Sequence, residues 1–334
     1  MTAVAEPLLT VENLCVEFPT RHGTLRAVHG ISFAIAPGEV LGVVGESGAG
    51  KSVTGAAVIG LIDPPGRISA GAIRLGGRRI DQLPYDQMRK VRGREIGAIF
   101  QDPLTSLNPL YTIGRQLTET IRTHLPLSAS EARTRAIALL DEVGIPGAAG
   151  RVDHYPHQFS GGMRQRVVIA LALAANPRLI IADEPTTALD VSIQAQIIQL
   201  LKRLCRDHGT AVMLVTHDLG VIAETADRVA VMYAGRIVEI GPVADVIHRP
   251  AHPYTIGLMG SIPSITAERS QLAQIDGTMP RLDAIPAGCP FHPRCPVAFA
   301  RCSRELPELE LVGSTHAACW RAQEAFRQVR ESDG

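Results

Sequence analysis

The sequence has no excess of charge of either sign. Lys and Arg number 33, Asp and Glu number 33, and the formal net charge is zero. General nucleic-acid binders carry a basic excess, so that class is disfavoured. Long apolar runs are also missing. The longest, Val167–Ala175 (VVIALALAA), is closed by Asn176 and Pro177. It falls short of the ~20 residues that span a bilayer. The amino-terminal stretch MTAVAEPLLTVENL has no basic segment leading into an apolar one, so no secretory signal is expected. Without export, disulfides are a poor account of the six cysteines. Paired C-x2–4-C hooks, frequent in structural zinc sites, do not occur, and no segment repeats. What is present is 46% apolar and 20% charged over 334 residues. That is an ordinary globular composition, long enough for two domains.

Six short motifs carry the chemistry. Leu41-Gly-Val-Val reads as a buried strand and runs into Gly45-Glu-Ser-Gly-Ala-Gly-Lys51-Ser52, which matches G-x-x-x-x-G-K-[ST]. Glycines there let backbone N–H groups approach phosphate oxygens, and the following helix, expected from Ser52 to about Leu61, adds its N-terminal dipole. Lys51 reaches the β- and γ-phosphates, and the Ser52 hydroxyl ligates Mg²⁺. Leu179-Ile-Ile-Ala-Asp183-Glu184 is a second strand, ending in two carboxylates. Asp183 suits Mg²⁺ held through water, and Glu184 suits a general base on the attacking water. Phe159-Ser160-Gly161-Gly162-Met163 precedes a helical pattern, with Ser160 placed as an N-cap. Ile99-Phe100-Gln101 is a strand end that runs into a loop. Ala188-Leu189-Asp190 follows the carboxylates, and Leu214-Val-Thr-His217 is a further strand that ends in histidine. Each of these is weak alone. An isolated histidine at a strand end is usually structural, and Ser-Gly-Gly can be no more than a capped helix.

In this order and spacing the set resembles the ATP-binding-cassette (ABC) ATPases. The resemblance implies an α/β fold: a P-loop nucleotide-binding domain with a RecA-like core, an antiparallel β subdomain and a helical subdomain. It implies catalytic roles for Glu184, His217 and Gln101. Gly45, Ser47, Gly48, Ala49, Gly50, Lys51 and Ser52 would bind ATP, with Asp183, Ser160, Gly161, Gly162 and Asp190. Ser52, Gln101 and Asp183 would hold Mg²⁺. Phe18 matches the aromatic that stacks on adenine, although Val16-Glu-Phe-Pro reads equally as a strand with a core Phe. Met163 departs from the family, whose commonest signature has Gln there. One copy of each motif implies a second ATPase copy, because the family sandwiches ATP between two cassettes.

Only 58 residues separate Gln101 from Ser160, which leaves no room for the long coiled coil of DNA-repair relatives. A single cassette also argues against the two-cassette ribosomal class. A transporter subunit remains the better reading, with a soluble ABC ATPase acting on nucleic acid as the alternative. Residues 102–165 are the expected helical subdomain, with helices over 115–124 and 128–143. Asp102–Leu110 would receive the membrane subunit.

The tail narrows the resemblance. His252-Pro-Tyr-Thr255, then Ser261-Ile-Pro263, then clustered cysteines are similar to the ATP-binding subunits of oligopeptide, dipeptide and nickel importers. This implies a cassette over 1–250 and an extension over 251–334. The implied partners are two transmembrane permease subunits, a second ATPase subunit and an extracytoplasmic peptide-binding protein, with no nucleic acid. The implied location is the cytoplasmic face of the membrane, as a peripheral subunit. Peptides are the expected cargo, with nickel and glutathione as alternatives. The spacing Cys289-x5-Cys295-x6-Cys302-x16-Cys319 leaves zinc, an iron–sulfur cluster and free or bridged thiols open. The resemblance favours a [4Fe-4S] cluster on these four. Cys15 and Cys205 fall outside the set, and His292 and His316 are not expected to bind metal.

Overall fold

The computed structural model of the chain describes residues 6–187, 189–260 and 275–324. Ala188 and Ser261–Pro263, quoted above, lie outside these. The described chain forms two compact units, each built from separate segments. One takes the chain up to Leu9, Ile35–Val40 and Leu75–Leu214. The other takes Thr10–Ala34, Leu41–Arg74 and Val215 onward.

The first unit is built on short buried strands. Ile96–Ile99 pairs parallel with Leu179–Asp183, matching Ile96 to Leu179 and Ile99 to Ala182. Ala211–Val215 lies on the other side of Leu179–Asp183, and all five of its residues are buried. Continuous Val, Ile, Leu and Ala runs suit strands covered on both faces. Between the parallel strands run the helices Ile113–His124, Ala129–Glu142 and Gly161–Leu173. Leu117, Ile121, Ala132, Ala136, Leu139 and Leu140 are buried, three or four residues apart along their helices. Ser128 closes a capping box with Glu131, and the Thr112 hydroxyl caps the preceding helix through the Arg115 N–H. The longest helix, Val191–His208, ends on Gly209 in the left-handed region at φ 64°.

The second unit contains two sets of strands. Gly23–Ile35 neighbours Leu9–Thr20, which neighbours Arg67–Leu75. The first two are joined by two residues, a link that only an antiparallel pair permits. Val40–Val44, wholly buried, runs parallel to Arg228–Tyr233. Arg228–Tyr233 turns at Ala234 and Gly235, both at positive φ, into antiparallel Arg236–Pro242. The carboxy-terminal segment then returns to this sheet. Thr315–Ala317 pairs antiparallel with Arg236–Pro242, and Glu310–Val312 pairs with Thr315–Ala317. The tail therefore adds a hairpin to a sheet edge. A small cluster of Ala251, Val312, Ala317 and Ala322 packs beneath it, with Cys319 alongside.

Candidate nucleotide site

In the second unit, Val40–Val44 delivers the chain into the loop Gly45–Gly50, and the helix Lys51–Val58 follows. Two positions admit only glycine. Gly45 has φ 151°, and a Cβ there would fall 2.2 Å from the Met232 carbonyl oxygen. Gly50 has φ 99°, and its Cβ would meet the Ala27 carbonyl oxygen at 2.7 Å. Lys51 is buried, and its Nζ donates to the Gly45 and Glu46 carbonyl oxygens at 2.8 and 3.0 Å. Ala49 is buried, while Ser47, Gly48 and Ser52 are exposed. No side chain caps the helix, so its first N–H groups suit an anion. His217 lies exposed just after the strand Ala211–Val215. The next residue, Asp218, caps the helix Leu219–Thr225 through the Gly220 and Val221 N–H groups. Phe18 is half-buried, with its ring edge against Gly66, where a Cβ would approach it to 2.5 Å.

In the first unit, Leu179–Asp183 ends in the carboxylate turn. Asp183 is half-buried. Glu184 sits at φ 47°, a left-handed conformation that costs a non-glycine residue about 1–3 kcal/mol. Two donors hold its side chain: Gln101 Nε2 at 3.1 Å and Thr187 Oγ1 at 2.8 Å, both to Oε2. Gln101 and Glu184 are 83 residues apart in sequence, and the structure brings them together. Thr187 was not singled out in the sequence, although it lies three residues past the carboxylate. Asp190 is exposed at the start of Val191–His208 and makes no side-chain cap.

Ser160 is the N-cap of Gly161–Leu173 and accepts from the Met163 N–H at 3.4 Å. The helix begins six residues before the apolar run at Val167, because the cap and not the hydrophobic pattern sets its start. Gly162 is needed for packing: a Cβ there would fall 2.8 Å from the Ile193 side chain. At Gly161 the nearest atom, on Leu189, would be 3.6 Å away, an ordinary contact. The Met163 sulfur accepts from Arg151 at 3.5 Å, which gives the unusual residue a partner.

The expected [4Fe-4S] cluster on Cys289, Cys295, Cys302 and Cys319 is not supported. The four residues line one small cavity with Phe291, Val297, Phe299 and Trp320. Among the described residues, however, no group of three or more His, Cys, Asp or Glu is disposed to hold a metal ion. Burial pushes the Cys289 and Cys319 thiols up to about 11. All four cysteines are unbridged. Cys289 is buried, and Cys295, Cys302 and Cys319 are half-buried. Cys205, on its helix, is likewise buried, with its thiol pushed up to about 12.

A buried strand feeding a glycine loop and helix, with a carboxylate turn and a capped Ser-Gly-Gly, defines a P-loop ATPase cassette. Comparison with known proteins is more specific. The family model for the ABC transporter matches residues 28–187. The model described as "Oligopeptide/dipeptide transporter, C-terminal region" matches residues 238–302. The dipeptide transport ATP-binding protein DppD of Bacillus subtilis (strain 168) is 48% identical over 317 residues, covering 94% of this chain and 95% of that protein. The oligopeptide transport ATP-binding protein OppD of Escherichia coli (strain K12) is 48% identical over 320 residues, covering 96% and 95%. Neither description mentions an iron–sulfur group. Among solved structures, the dimeric post-hydrolysis state of the ATP-binding cassette MJ0796, bound to ADP and Pi, superposes with a TM-score of 0.63 at 30% identity. That match covers 70% of this chain and 98% of the other. The chain belongs to the ATP-binding proteins of the ABC transporter family, in the group that carries the oligopeptide/dipeptide transporter C-terminal region. It is an ATPase whose hydrolysis powers transport. No helix among the described residues is long and apolar enough to cross a membrane.

Proposed function

We propose that this chain is the ATP-hydrolysing subunit of a membrane importer of di- and oligopeptides. The observation that carries the reading is the 48% identity to dipeptide and oligopeptide transport ATP-binding proteins, which runs through the tail as well as the cassette. In this reading the cassette spans 1–250, with its helical subdomain over 102–165, and the importer extension spans 251–334. The subunit works at the cytoplasmic face of the membrane, with a second ATPase copy, two permease subunits and an extracytoplasmic peptide-binding protein.

The residues divide the work. Backbone N–H groups of Gly45–Ser52 and the Lys51 ammonium hold the triphosphate. The oxygens of Ser52, Asp183 and Gln101 are hard donors of the kind Mg²⁺ takes, and the ion would neutralise phosphate charge there. Glu184 withdraws a proton from the attacking water, with Gln101 and Thr187 setting the direction of its carboxylate. His217 contacts the terminal phosphate. Phe18 stacks on adenine. Ser160, Gly161, Gly162 and Asp190 serve the ATP of the partner copy. Leu110, 78% exposed, lies in the segment Asp102–Leu110 assigned to the permease, and Phe100, 48% exposed, lies two residues before it.

Reconstitution in proteoliposomes with the permease subunits, partner ATPase and binding protein tests this reading. Added di- or tripeptides should raise ATP hydrolysis severalfold and drive peptide uptake. Stimulation by nickel, by glutathione or by nucleic acid in place of peptides would replace the proposed cargo.

A further inference from the structure

Residues of the tail reach the phosphate loop. Glu46, the second loop residue, has its carboxylate 3.0 and 3.1 Å from Nη1 of Arg294, a residue of the extension 248 positions away. The Arg294 side chain is only 8% exposed. Its Nε donates to the Asp276 carbonyl oxygen at 2.8 Å. Its Nη2 donates to the Ile275 and Gly277 carbonyl oxygens, each at 3.3 Å. One guanidinium therefore gathers a stretch of tail backbone and a loop carboxylate. That stretch leads to Met279, whose Cγ would lie 4.0 Å from a Cβ placed on Gly48, a further loop residue.

A second contact acts on the same residue. The hydroxyl of buried Tyr254 accepts the Glu46 N–H at 2.9 Å. Tyr254 is fixed by edge and tilted contacts with Tyr233 and Phe291, with ring centroids 4.7 and 5.4 Å away. Glu46 is thus held at both its backbone and its side chain by residues outside the cassette motifs.

We propose that Arg294 is a positioning residue for ATP binding: it neutralises the Glu46 carboxylate beside the phosphate loop and ties that loop to the C-terminal tail. This rests on the reading of Gly45–Ser52 as the phosphate loop. A bare carboxylate next to a triphosphate repels it, and the repulsion grows with phosphate charge. Pairing with Arg294 removes that penalty and holds the loop in one conformation before nucleotide arrives. The coupling is reciprocal, so bound nucleotide also holds the tail down.

The test measures Mg–ATP and Mg–ADP affinity on the full-length chain, in wild type and four variants: R294Q, E46Q, R294Q/E46Q and K51A. R294Q should weaken ATP binding ~10-fold, and ADP binding less, because an unpaired charge acts through Coulomb repulsion. Removing the carboxylate as well, in R294Q/E46Q, should restore ATP affinity to within ~3-fold of wild type, since no charge is left unpaired. Wild-type affinity in R294Q overturns the proposal. So does equal weakness of R294Q and the double variant, which would make Arg294 a purely structural support. K51A separates the two readings. If K51A binds ATP as wild type does, the assignment of the phosphate loop has failed. If K51A loses binding while R294Q does not, only the role of Arg294 has failed. Should R294Q unfold, R294K carries the test, because it keeps the charge: affinity within ~3-fold of wild type supports charge compensation, and a ~10-fold loss contradicts it.

Discussion

The phosphate loop of the second unit and the carboxylate turn of the first are held in different ways. The loop is anchored on its inner side, although Ser47, Gly48 and Ser52 are exposed. Lys51 and Ala49 are buried, Gly45 and Gly50 press against backbone carbonyls, and Arg294 and Tyr254 clamp Glu46. The carboxylate turn is more open. Glu184 is half-buried in a strained conformation, its partner Gln101 is exposed, and the nearby Ser160 and Gly161 are exposed as well. The difference teaches a division of labour. On the proposed roles, the buried Lys51 and the packed Gly45 and Gly50 hold the triphosphate from a fixed base. On the same proposed roles, the groups that act in hydrolysis, Glu184 with Gln101, stand on a half-buried to exposed turn.

The sharpest way to break this comparison is glycine replacement on the two sides. G45A forces a Cβ to within 2.2 Å of the Met232 carbonyl oxygen at a positive φ. It should cost more than ~4 kcal/mol and abolish nucleotide binding. G161A meets nothing closer than 3.6 Å and should change stability by less than ~0.5 kcal/mol. Urea melts of both variants make the comparison, and equal losses would erase the contrast between an anchored and an open turn. Next in size is K51A, which removes a cationic donor from the phosphates. It should weaken ATP affinity ~10³-fold with little change in melting temperature.

Glu239 sharpens the same point through pH. It is fully buried and accepts the Ala251 and His252 N–H groups, which fold the turn that presents Tyr254. Burial raises its carboxyl from 4.5 to about 7, against the lowering effect of its hydrogen bonds. Between these values the folded chain keeps a proton that the unfolded chain has released. Stability from this group is therefore full below pH ~4.5 and falls as pH rises to about 7, by up to ~3 kcal/mol. E239Q should flatten that slope in denaturant melts at pH 5, 6, 7 and 8. An unchanged slope would remove Glu239 from the account. The smallest effect is S160A, which deletes a helix cap and should cost ~1 kcal/mol without touching ATP binding by the isolated chain.

Much of this was legible in the sequence wherever the signal is local. The strand–loop–helix at Gly45–Ser52 and the Ser160 cap depend on residues a few positions apart, and both form as their spacing implies, although the helix ends at Val58 rather than near Leu61. The pairing of Gln101 with Glu184 was not legible from local pattern, because 83 residues separate them. Arg294 with Glu46 and Tyr254 with the Glu46 N–H were not legible at all. They span 248 and 208 positions, and no local pattern marks an arginine that will fold back onto a loop. The tail hairpin was missed for a similar reason: strands of three residues carry too little alternation to be seen. The cysteines misled in the opposite direction. Their clustering in sequence does become clustering in space around one small cavity, but no group of three or more His, Cys, Asp or Glu among the described residues is disposed to hold a metal ion.

The central claim is that holding ATP and hydrolysing it belong to differently built parts of the chain. Glu184→Gln tests it most directly, with bound ATP and released phosphate measured on the same full-length preparation. The account predicts ATP affinity within ~3-fold of wild type and phosphate release lowered by at least ~10²-fold, the scale of losing a general base. Phosphate release near the wild-type rate, or loss of ATP binding together with turnover, would contradict it.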